Sequence, residues 1–323
     1  MIKFSRGKKS ADVSRETSPV IPAYARGPRR AALDDEEAAA LAAQEAVSRE
    51  TPPRLVLPRP DAPRIFVIAN QKGGVGKTTT AVNIATALAM GGLRVLVVDL
   101  DPQGNASTAL GVEHREGTQG TYEVLLGDAD IAAHAVTSEE APLLTVLPAT
   151  IDLAAAEIQL VNTQAREQRL KRALERYLGE HETDYVFIDC PPSLGLLTVN
   201  ALVAASELLI PIQCEYYALE GLSQLLRTIE LVKGQLNDDL NLSTILLTMY
   251  DSRTNLAQQV AAEVKGHFQR ETLDTRIPRS VRVSEAPSYG RTVLTYDPAS
   301  AGALAYRYAA QEIAERVRER QEA

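Results

Sequence analysis

The sequence contains no tryptophan and two cysteines, and aromatic residues make up 5% of its 323 residues. Neither Cys190 nor Cys214 has a partner at metal-ligand spacing, which argues against a zinc site or an iron–sulfur cluster. No apolar run reaches the ~18 residues that a membrane-spanning helix requires. A signal-peptide pattern is also missing, so we expect a cytoplasmic protein that is not inserted into a membrane.

An overall excess of positive charge is absent as well. The formal net charge at pH 7 is −8, which by itself argues against a protein that binds nucleic acid. The charge is uneven, however, because residues 1–64 hold twelve Lys and Arg against nine Asp and Glu, and residues 65–323 therefore carry −11. Any DNA contact of the folded part must come from a local patch of basic residues.

Residues 1–63 are predicted to form a disordered extension, because Pro, Arg, Ala, Ser and Glu dominate and large apolar residues are scarce. The pentapeptide V-S-R-E-T occurs twice in it, at 13–17 and 47–51, and a short alanine-rich helix is expected over 33–46. The repeat is either low-complexity drift or a short motif that binds a partner.

Residues 64–323 show alternating strand and helix patterns and are predicted to be one domain. Strands are expected at 65–69, 94–99, 143–147, 185–189, 208–212 and 243–249, and helices at 78–90, 153–178, 219–236 and 299–320. Uniformly apolar strands that alternate with amphipathic helices predict an α/β fold with a mainly parallel, twisted sheet and helices on both faces. Ligands of such sheets bind at the carboxyl ends of the strands.

A glycine-rich loop follows the first predicted strand. It departs from the pattern G-x-x-x-x-G-K-[ST], because Gln71 stands where the first glycine is expected. Lys77 can supply charge to the β- and γ-phosphates, and the Thr78 hydroxyl can hold Mg²⁺. The order of strand, loop, Lys-Thr pair and helix predicts a nucleotide site built from Lys72, Gly73, Gly74, Val75, Gly76, Lys77, Thr78 and Thr79.

The loop opens with a second lysine. Lys72 precedes the first glycine and comes too early to share the role of Lys77 within one subunit. A lysine at this position is what a sandwich dimer needs to reach the nucleotide bound by its partner.

Carboxylates are expected at the carboxyl ends of two strands. Asp99 and Asp101 lie in V-L-V-V-D-L-D-P-Q-G-N, and the alternation of side chains along a strand predicts that both point towards the nucleotide. One can support Mg²⁺ through water while the other orients the attacking water. Asp189 closes Y-V-F-I-D, a Walker B pattern, and is expected near Mg²⁺, bonded to a ligating water or to Thr78.

With these motifs, residues 65–298 resemble the chromosomal ParA/Soj partition ATPases of the ParA/MinD superfamily, P-loop NTPases with a deviant Walker A loop. The extension resembles that of actinobacterial members. The matching runs are N-Q-K-G-G-V-G-K-T-T-T at 70–80, V-D-L-D-P-Q-G-N-A-S-T at 98–108, I-D-C-P-P-S-L-G-L-L-T-V-N-A-L at 188–202, P-I-Q-C-E-Y-Y-A-L-E-G-L at 211–222, M-Y-D-S-R-T-N-L at 249–256 and I-P-R-S-V-R-V-S-E-A-P at 277–287.

The resemblance implies roles for the residues of the nucleotide site. Lys72 corresponds to the signature lysine that contacts the phosphates of the partner subunit, and Lys77 to the lysine of the phosphate loop. Thr78 corresponds to the magnesium ligand, with Asp101 and Asp189 as the carboxylates near the metal. Asp101 is also the carboxylate that hydrolysis needs.

Four further positions take their expected roles from the same resemblance. Pro278 and Arg279 fall in the segment that borders the adenine. Arg253 and Arg282 match basic positions that this family uses to bind DNA without sequence preference. From the residues alone, the favoured interpretation of each arginine is a solvated surface charge or part of a salt bridge, because the acidic core has no stripe of basic residues.

The function implied by the resemblance is an ATP- and Mg²⁺-dependent switch. It would form a homodimer with ATP, bind the DNA of the nucleoid, and drive chromosome partitioning with a ParB-type centromere-binding protein that stimulates a weak ATPase. The extension could contact a polar scaffold protein. The alternative is a MinD-like ATPase that associates with membranes, which requires a carboxyl-terminal amphipathic helix with lysines opposite large apolar residues.

Overall fold

The computed structural model describes residues 56–216 and 218–321, with side chains to residue 316, and its strands form one mainly parallel sheet. Their order across the sheet is β3-β4-β2-β5-β1-β6-β7-β8, and β3 runs antiparallel to β4. The predicted fold class is confirmed. The strands are β1 (Arg64–Ile68), β2 (Val95–Asp99), β3 (Val136–Thr137), β4 (Leu144–Leu147), β5 (Tyr185–Asp189), β6 (Glu207–Gln213), β7 (Asn241–Tyr250) and β8 (Thr272–Pro278).

Helices cover both faces of the sheet, and short ones connect the layers. They are α1 (Lys77–Met90), α2 (Asn105–Ala109), α3 (Thr121–Leu126), α4 (Ile131–His134), α5 (Leu153–Leu160), α6 (Arg169–Glu180), α7 (Leu196–Ala204), α8 (Ala218–Gln235), α9 (Asn255–His267), α10 (Val281–Glu285), α11 (Val293–Tyr296) and α12 (Ala301–Gln321). None of the helices in the described part of the chain is long and apolar enough to cross a membrane.

The core has two layers because successive strand side chains point to opposite faces. Val67 and Val98 pack on the face covered by α5 to α9, whereas Phe66 and Val97 pack on the face covered by α1 and α12. Both sides are apolar, so the central strands consist of uninterrupted apolar residues rather than an alternating pattern.

The two edge strands, β3 and β8, were not predicted from the sequence patterns, and β8 is the longer of them. Its residues T-L-D-T-R-I-P mix polar and apolar side chains, as suits a strand with one neighbour. Two side chains of α12 bind its backbone. Glu312 accepts hydrogen bonds from the amides of Asp274 and Thr275 at 2.8 and 3.1 Å, and Arg316 donates to the carbonyls of Glu271 and Thr272 at 3.0 and 2.9 Å.

The long helix predicted over 153–178 is interrupted, and that prediction is wrong in this respect. Helix α5 ends at Leu160, Ala165 adopts a left-handed backbone with φ 48°, and a 3-10 turn at Arg166–Gln168 leads into α6. Asn162 and Thr163 in the break favour turns over helix interiors.

Helix α12 lies where a helix was predicted over 299–320, and it docks on α1 and β8. Tyr306 and Ile313 are buried together with alanines at 303, 309, 310 and 314, whereas Tyr308 is 60% exposed. Tyr308 therefore faces solvent rather than the sheet. Small alanines allow α12 to approach closely, so few bulky residues are needed.

The folded part begins ahead of β1. Leu57 is buried at 6% exposure, and its amide donates to the carbonyl of Gly91 at 3.1 Å. It packs directly against Gly91, where a Cβ would come within 2.5 Å of the leucine side chain. Residues 1–55, with both V-S-R-E-T elements and the helix predicted over 33–46, lie outside the described residues, and the predicted domain boundary stays a prediction.

Candidate nucleotide-binding site

The predicted site lies where three adjacent strands end. β5 pairs with β1 on one side and with β2 on the other, so that Ile68, Asp189 and Asp99 stand at the same level of the sheet. The loop between β1 and α1 leaves from this edge. Parallel strands therefore bring the glycine-rich loop and both carboxylate motifs to one place.

Two glycines of the loop adopt backbone angles that other residues rarely take. Gly74 has φ 75° and Gly76 has φ 90°, which lies in the left-handed region. Gly76 precedes the first turn of α1, so the free amides of the helix start point into the loop. The carbonyl of Val75 accepts a hydrogen bond from the Thr248 hydroxyl at 2.8 Å, which fastens the loop to β7.

The two lysines of the loop lie in different surroundings. Lys77 is buried, and its Nζ lies 3.4 Å from the carbonyl oxygen of Lys72, inside the loop. Burial lowers the pKa of Lys77, and the nearby Asp189 opposes this shift. Lys72 is exposed, and its ammonium group forms an ion pair with Glu215, which follows β6. In this structure the Lys72 ammonium group is bonded to Glu215 rather than to the phosphate loop.

Asp189 is a buried carboxylate whose two oxygens accept no hydrogen bond from the described residues. Burial raises its pKa well above the usual range, and the neighbouring Asp99 adds to this, whereas the Thr78 hydroxyl and Lys77 act in the opposite direction. A buried carboxylate without partners beside a threonine hydroxyl fits a hydrated divalent cation.

Asp99 differs from the expectation that it points towards the nucleotide. One carboxylate oxygen accepts the Asp101 amide at 3.1 Å, and the other accepts the amide and hydroxyl of Ser107 at 2.9 and 2.8 Å. Burial raises the pKa of Asp99 to about 7, and the hydrogen bonds from Ser107 and Asp101 partly offset this. Both carboxylate oxygens of Asp99 therefore accept hydrogen bonds from the protein itself.

Asp101 lies at the rim of the site. Its side chain is 8% exposed, and Oδ1 accepts the amide of Gln103 at 3.0 Å. Like that of Asp189, its negative charge opposes the lowering of the Lys77 pKa by burial. The structure therefore brings Lys77, Asp101 and Asp189 together, and Thr78 with them.

A cavity of about 110 Å³ adjoins the loop. Pro278 and Arg279 line it together with Gly76, Thr79 and Tyr306. The segment expected to border the adenine thus shares one cavity with the phosphate loop. Met249, also in its wall, has φ 50° at the end of β7.

The two arginines expected to bind DNA are exposed and paired with carboxylates. Arg253 makes two hydrogen bonds to Asp251 at 2.9 and 2.8 Å, which hold the pKa of Asp251 down to about 2. Arg282 lies 3.3 Å from Glu285 and 3.4 Å from Asp297. Phosphate groups would have to compete with these carboxylates.

Three side chains around Lys72 and the loop were missed by the sequence patterns. The Asn70 side chain accepts the Lys72 amide at 3.0 Å and donates to the Pro211 carbonyl at 2.9 Å, while Glu215 binds Lys72 itself. Thr248 holds Val75. Asn70 and Glu215 lie inside runs quoted above, but only the pairing of β1 with β6 shows that both lie near Lys72.

No group of three or more His, Cys, Asp or Glu side chains among the described residues could hold a metal ion unaided. This suits Mg²⁺, which is commonly bound by one or two protein groups together with water and substrate phosphates. A glycine-rich loop between β1 and α1, with a buried carboxylate at the end of the adjacent strand, defines a P-loop NTPase of the deviant Walker A type.

Comparison with known proteins agrees with this class. A family model described as an AAA domain matches residues 63–242. The sporulation initiation inhibitor protein Soj of Bacillus subtilis is 56% identical over 253 residues, covering 78% of this chain and 98% of Soj. The chromosome partitioning protein ParA of Caulobacter vibrioides is 52% identical over 258 residues, covering 80% of this chain and 96% of ParA.

A solved structure from Mycobacterium smegmatis, named a cobyrinic acid a,c-diamide synthase and containing an ATP analog and magnesium, is 43% identical. It superposes with a TM-score of 0.66, covering 77% of this chain and 93% of the other. The ligands of that protein agree with the expected cofactors. The present chain belongs to the Soj/ParA family of chromosome-partitioning ATPases.

Proposed function

We propose that this chain is a switch that dimerises with ATP, binds DNA without sequence preference, and hydrolyses ATP to ADP and phosphate when a ParB-type DNA-binding partner stimulates it. The observation that carries the proposal is the contrast between the two lysines. Lys77 is buried within its own loop, whereas Lys72 is exposed and bonded to Glu215. A second subunit facing this edge would bring a nucleotide within reach of Lys72.

Within one subunit, the residues of the site would hold ATP and Mg²⁺. The amides at the start of α1 and the Lys77 ammonium group would bind the phosphates, and Pro278 and Arg279 would border the base. Thr78, Asp101 and Asp189 are the groups that would hold the metal ion, which neutralises charge that develops on the phosphates. Asp101 would orient the attacking water.

Exposed apolar side chains on and next to α5 support the dimer. Ile158 of α5 is 76% exposed, and Ile151 before the helix and Val161 after it are each 54% exposed. Helix α5 adjoins the segment after β5, because the carboxylate of Glu157 lies against Gly195. Exposed apolar patches rimmed by polar groups are typical of surfaces that bind another protein.

DNA binding and partitioning follow from pairing two weak surfaces. Arg253 and Arg282 are exposed arginines, each paired with carboxylates, on an acidic domain. A dimer would double their phosphate contacts and steepen the dependence of DNA binding on salt. Hydrolysis would separate the subunits and release the DNA. The protein would then associate with the nucleoid during each ATP-bound period, and residues 1–63 could bind a polar scaffold.

Lys72→Ala tests the proposal. We expect the variant to bind ATP through Lys77 but to remain a monomer with ATP in light scattering, and to lose ATP-dependent pelleting with DNA. Lys265→Ala is the matched control, since Lys265 is also about half exposed and ion-paired, with Asp274. A stable ATP dimer of Lys72→Ala would contradict the cross-subunit role.

The membrane-binding alternative has less support. The apolar side of α12 is occupied by the core through Tyr306, Ile313 and the alanines. Cosedimentation with anionic vesicles and with DNA, each with ATP, distinguishes the two functions. Binding to vesicles without binding to DNA would favour the MinD-like alternative.

The name of the mycobacterial structure suggests a second candidate, ATP-dependent amidation. Release of ammonia from glutamine commonly needs a reactive thiolate. Cys190 and Cys214 are buried, and burial raises the pKa of both thiols, that of Cys214 to about 11. Neither cysteine is therefore a reactive thiolate at neutral pH, which argues against amidation. ATP turnover stimulated by glutamine and a carboxylic acid substrate, but not by DNA and the partner, would support amidation.

A further inference from the structure

The carboxylates of Asp99 and Asp189 are neighbours with opposite arrangements. They are partners in the register of β2 and β5, and both are fully buried. Asp189 accepts no hydrogen bond from the described residues. Asp99 accepts three, from two separate points of the chain. The two aspartates lie at the same level of the sheet, but the oxygens of Asp99 are bonded within the protein and those of Asp189 are not.

The groups bonded to Asp99 lie at the two ends of the segment that carries Asp101. The Asp101 amide is where the segment leaves β2, and Ser107 lies in the first turns of α2. Between them the chain turns, with the Gly104 amide bonded to the Asp101 carbonyl at 2.8 Å. One carboxylate thus joins both ends of residues 100–107.

Asp99 is itself firmly held. Its backbone carbonyl accepts the Thr121 hydroxyl at 2.8 Å. The Ser107 hydroxyl, which donates to Asp99, accepts the Ala149 amide at 3.2 Å, so the segment after β4 joins the same network. A buried network in which each member is satisfied fixes its groups in one arrangement.

We propose that Asp99 is a positioning residue for hydrolysis, which sets the place of the Asp101 carboxylate by fastening both ends of the segment 100–107. The proposal rests on the ATPase function assigned above and adds to it a residue that acts through Asp101. Small displacements of a group that orients a reacting water cost large factors in rate.

Asp99→Asn is the sharpest test. Asparagine keeps the shape of the side chain, but in either orientation its NH₂ group faces an N–H or O–H donor of Asp101 or Ser107. We expect kcat for ATP hydrolysis to fall about 10- to 100-fold while KM and the dissociation constant for ATP stay unchanged. The ATP dimer should form and persist, because Lys72, Lys77 and Thr78 are unchanged while hydrolysis is slowed.

Two serine and threonine variants provide the comparison. Ser107→Ala removes one of the three hydrogen bonds to Asp99, so we expect a smaller fall in kcat in the same direction. Thr228→Ala is the matched control, because the Thr228 hydroxyl lies on α8, outside the segment 100–107, and binds the Gln224 carbonyl of its own helix. Its kcat should equal that of the parent protein.

Hydrogen exchange gives a readout that needs no activity, dimer or DNA. In nucleotide-free Asp99→Asn, amides in peptides covering 100–107 should exchange faster, whereas those of β2 should not. Loss of ATP binding in Asp99→Asn would make Asp99 a nucleotide- or metal-binding residue and overturn the proposal. Parent-like kcat, or equal losses in Ser107→Ala and Thr228→Ala, would overturn it as well.

Failure of the proposed switch would look different. If the parent protein hydrolyses ATP without forming an ATP dimer or binding DNA, the switch is wrong, but the effects on kcat and exchange still test Asp99. If Asp99→Asn does not fold, Ser107→Ala decides, since it keeps the carboxylate and both amide hydrogen bonds.

Discussion

Single residues in this site owe their roles to their hydrogen-bond partners more than to their type. Lys72 and Lys77 belong to one loop, yet one is exposed and ion-paired and the other is buried. Asp99 and Asp189 stand side by side, yet only Asp189 leaves its oxygens available. Partners of this kind come from distant parts of the chain.

The DNA contacts can be tested at single residues. Arg253→Glu or Arg282→Glu should weaken binding to all DNA sequences alike, because contacts to phosphate carry no base information. Each lost contact should reduce the slope of log K against log salt by about 0.9. The ATP-dependent dimer should remain intact in both variants, as measured by light scattering.

Arg115→Glu is the matched control for these two charge-reversing substitutions. Arg115 is likewise exposed and paired with a nearby carboxylate, Glu113, and it lies outside the segments expected to contact DNA. If all three reversals weaken DNA binding equally, net charge rather than a local patch is responsible. Unchanged binding by Arg253→Glu and Arg282→Glu would leave these arginines as ordinary surface charges.

Among the elements, those with uniform apolar runs were predictable and those held by side chains from elsewhere were not. The six predicted strands correspond to β1, β2, β4, β5, β6 and β7, and the phosphate loop precedes α1 as expected. β8 was not predicted, because its backbone is bound by Glu312 and Arg316 from α12. The role of Asp99 was missed for the same reason, since Ser107 lies eight residues away.

The segment before β1 gives a prediction about stability. Leu57→Ala should lower the free energy of unfolding by about 2 kcal/mol, because it removes apolar side-chain atoms that pack against Gly91. Val56→Ala is the control, since Val56 is 85% exposed. Chemical denaturation of both variants measures the difference.

Truncations extend the same test. Removal of residues 1–54 should leave stability and ATP hydrolysis unchanged, whereas removal of residues 1–60 should lower stability as Leu57→Ala does. If both truncated proteins match the parent, Leu57 contributes nothing that the domain needs.

At the scale of the whole molecule, the nucleotide site lies at the carboxyl ends of the central strands of the sheet. β1 lies between β5 and β6. The later strands lie on both sides of it, β2 to β5 on one side and β6 to β8 on the other. Crevices at such points are the usual ligand sites of open α/β sheets. Lys72 lies at the same end of the sheet, and α5 adjoins the segment that follows β5. We therefore propose this side of the molecule as the dimer interface.

Mixing two inactive variants tests the central claim, that Lys72 acts on the nucleotide of the other subunit. Lys72→Ala retains Asp101 but lacks the lysine for its partner, whereas Asp101→Ala retains Lys72 but cannot orient water. In a mixed dimer, the site of the Lys72→Ala subunit would receive Lys72 from its partner and contain Asp101. We predict that each variant alone is inactive and that the mixture hydrolyses ATP in proportion to the mixed dimer formed. A mixture that contains mixed dimers and remains as inactive as its components would contradict the account.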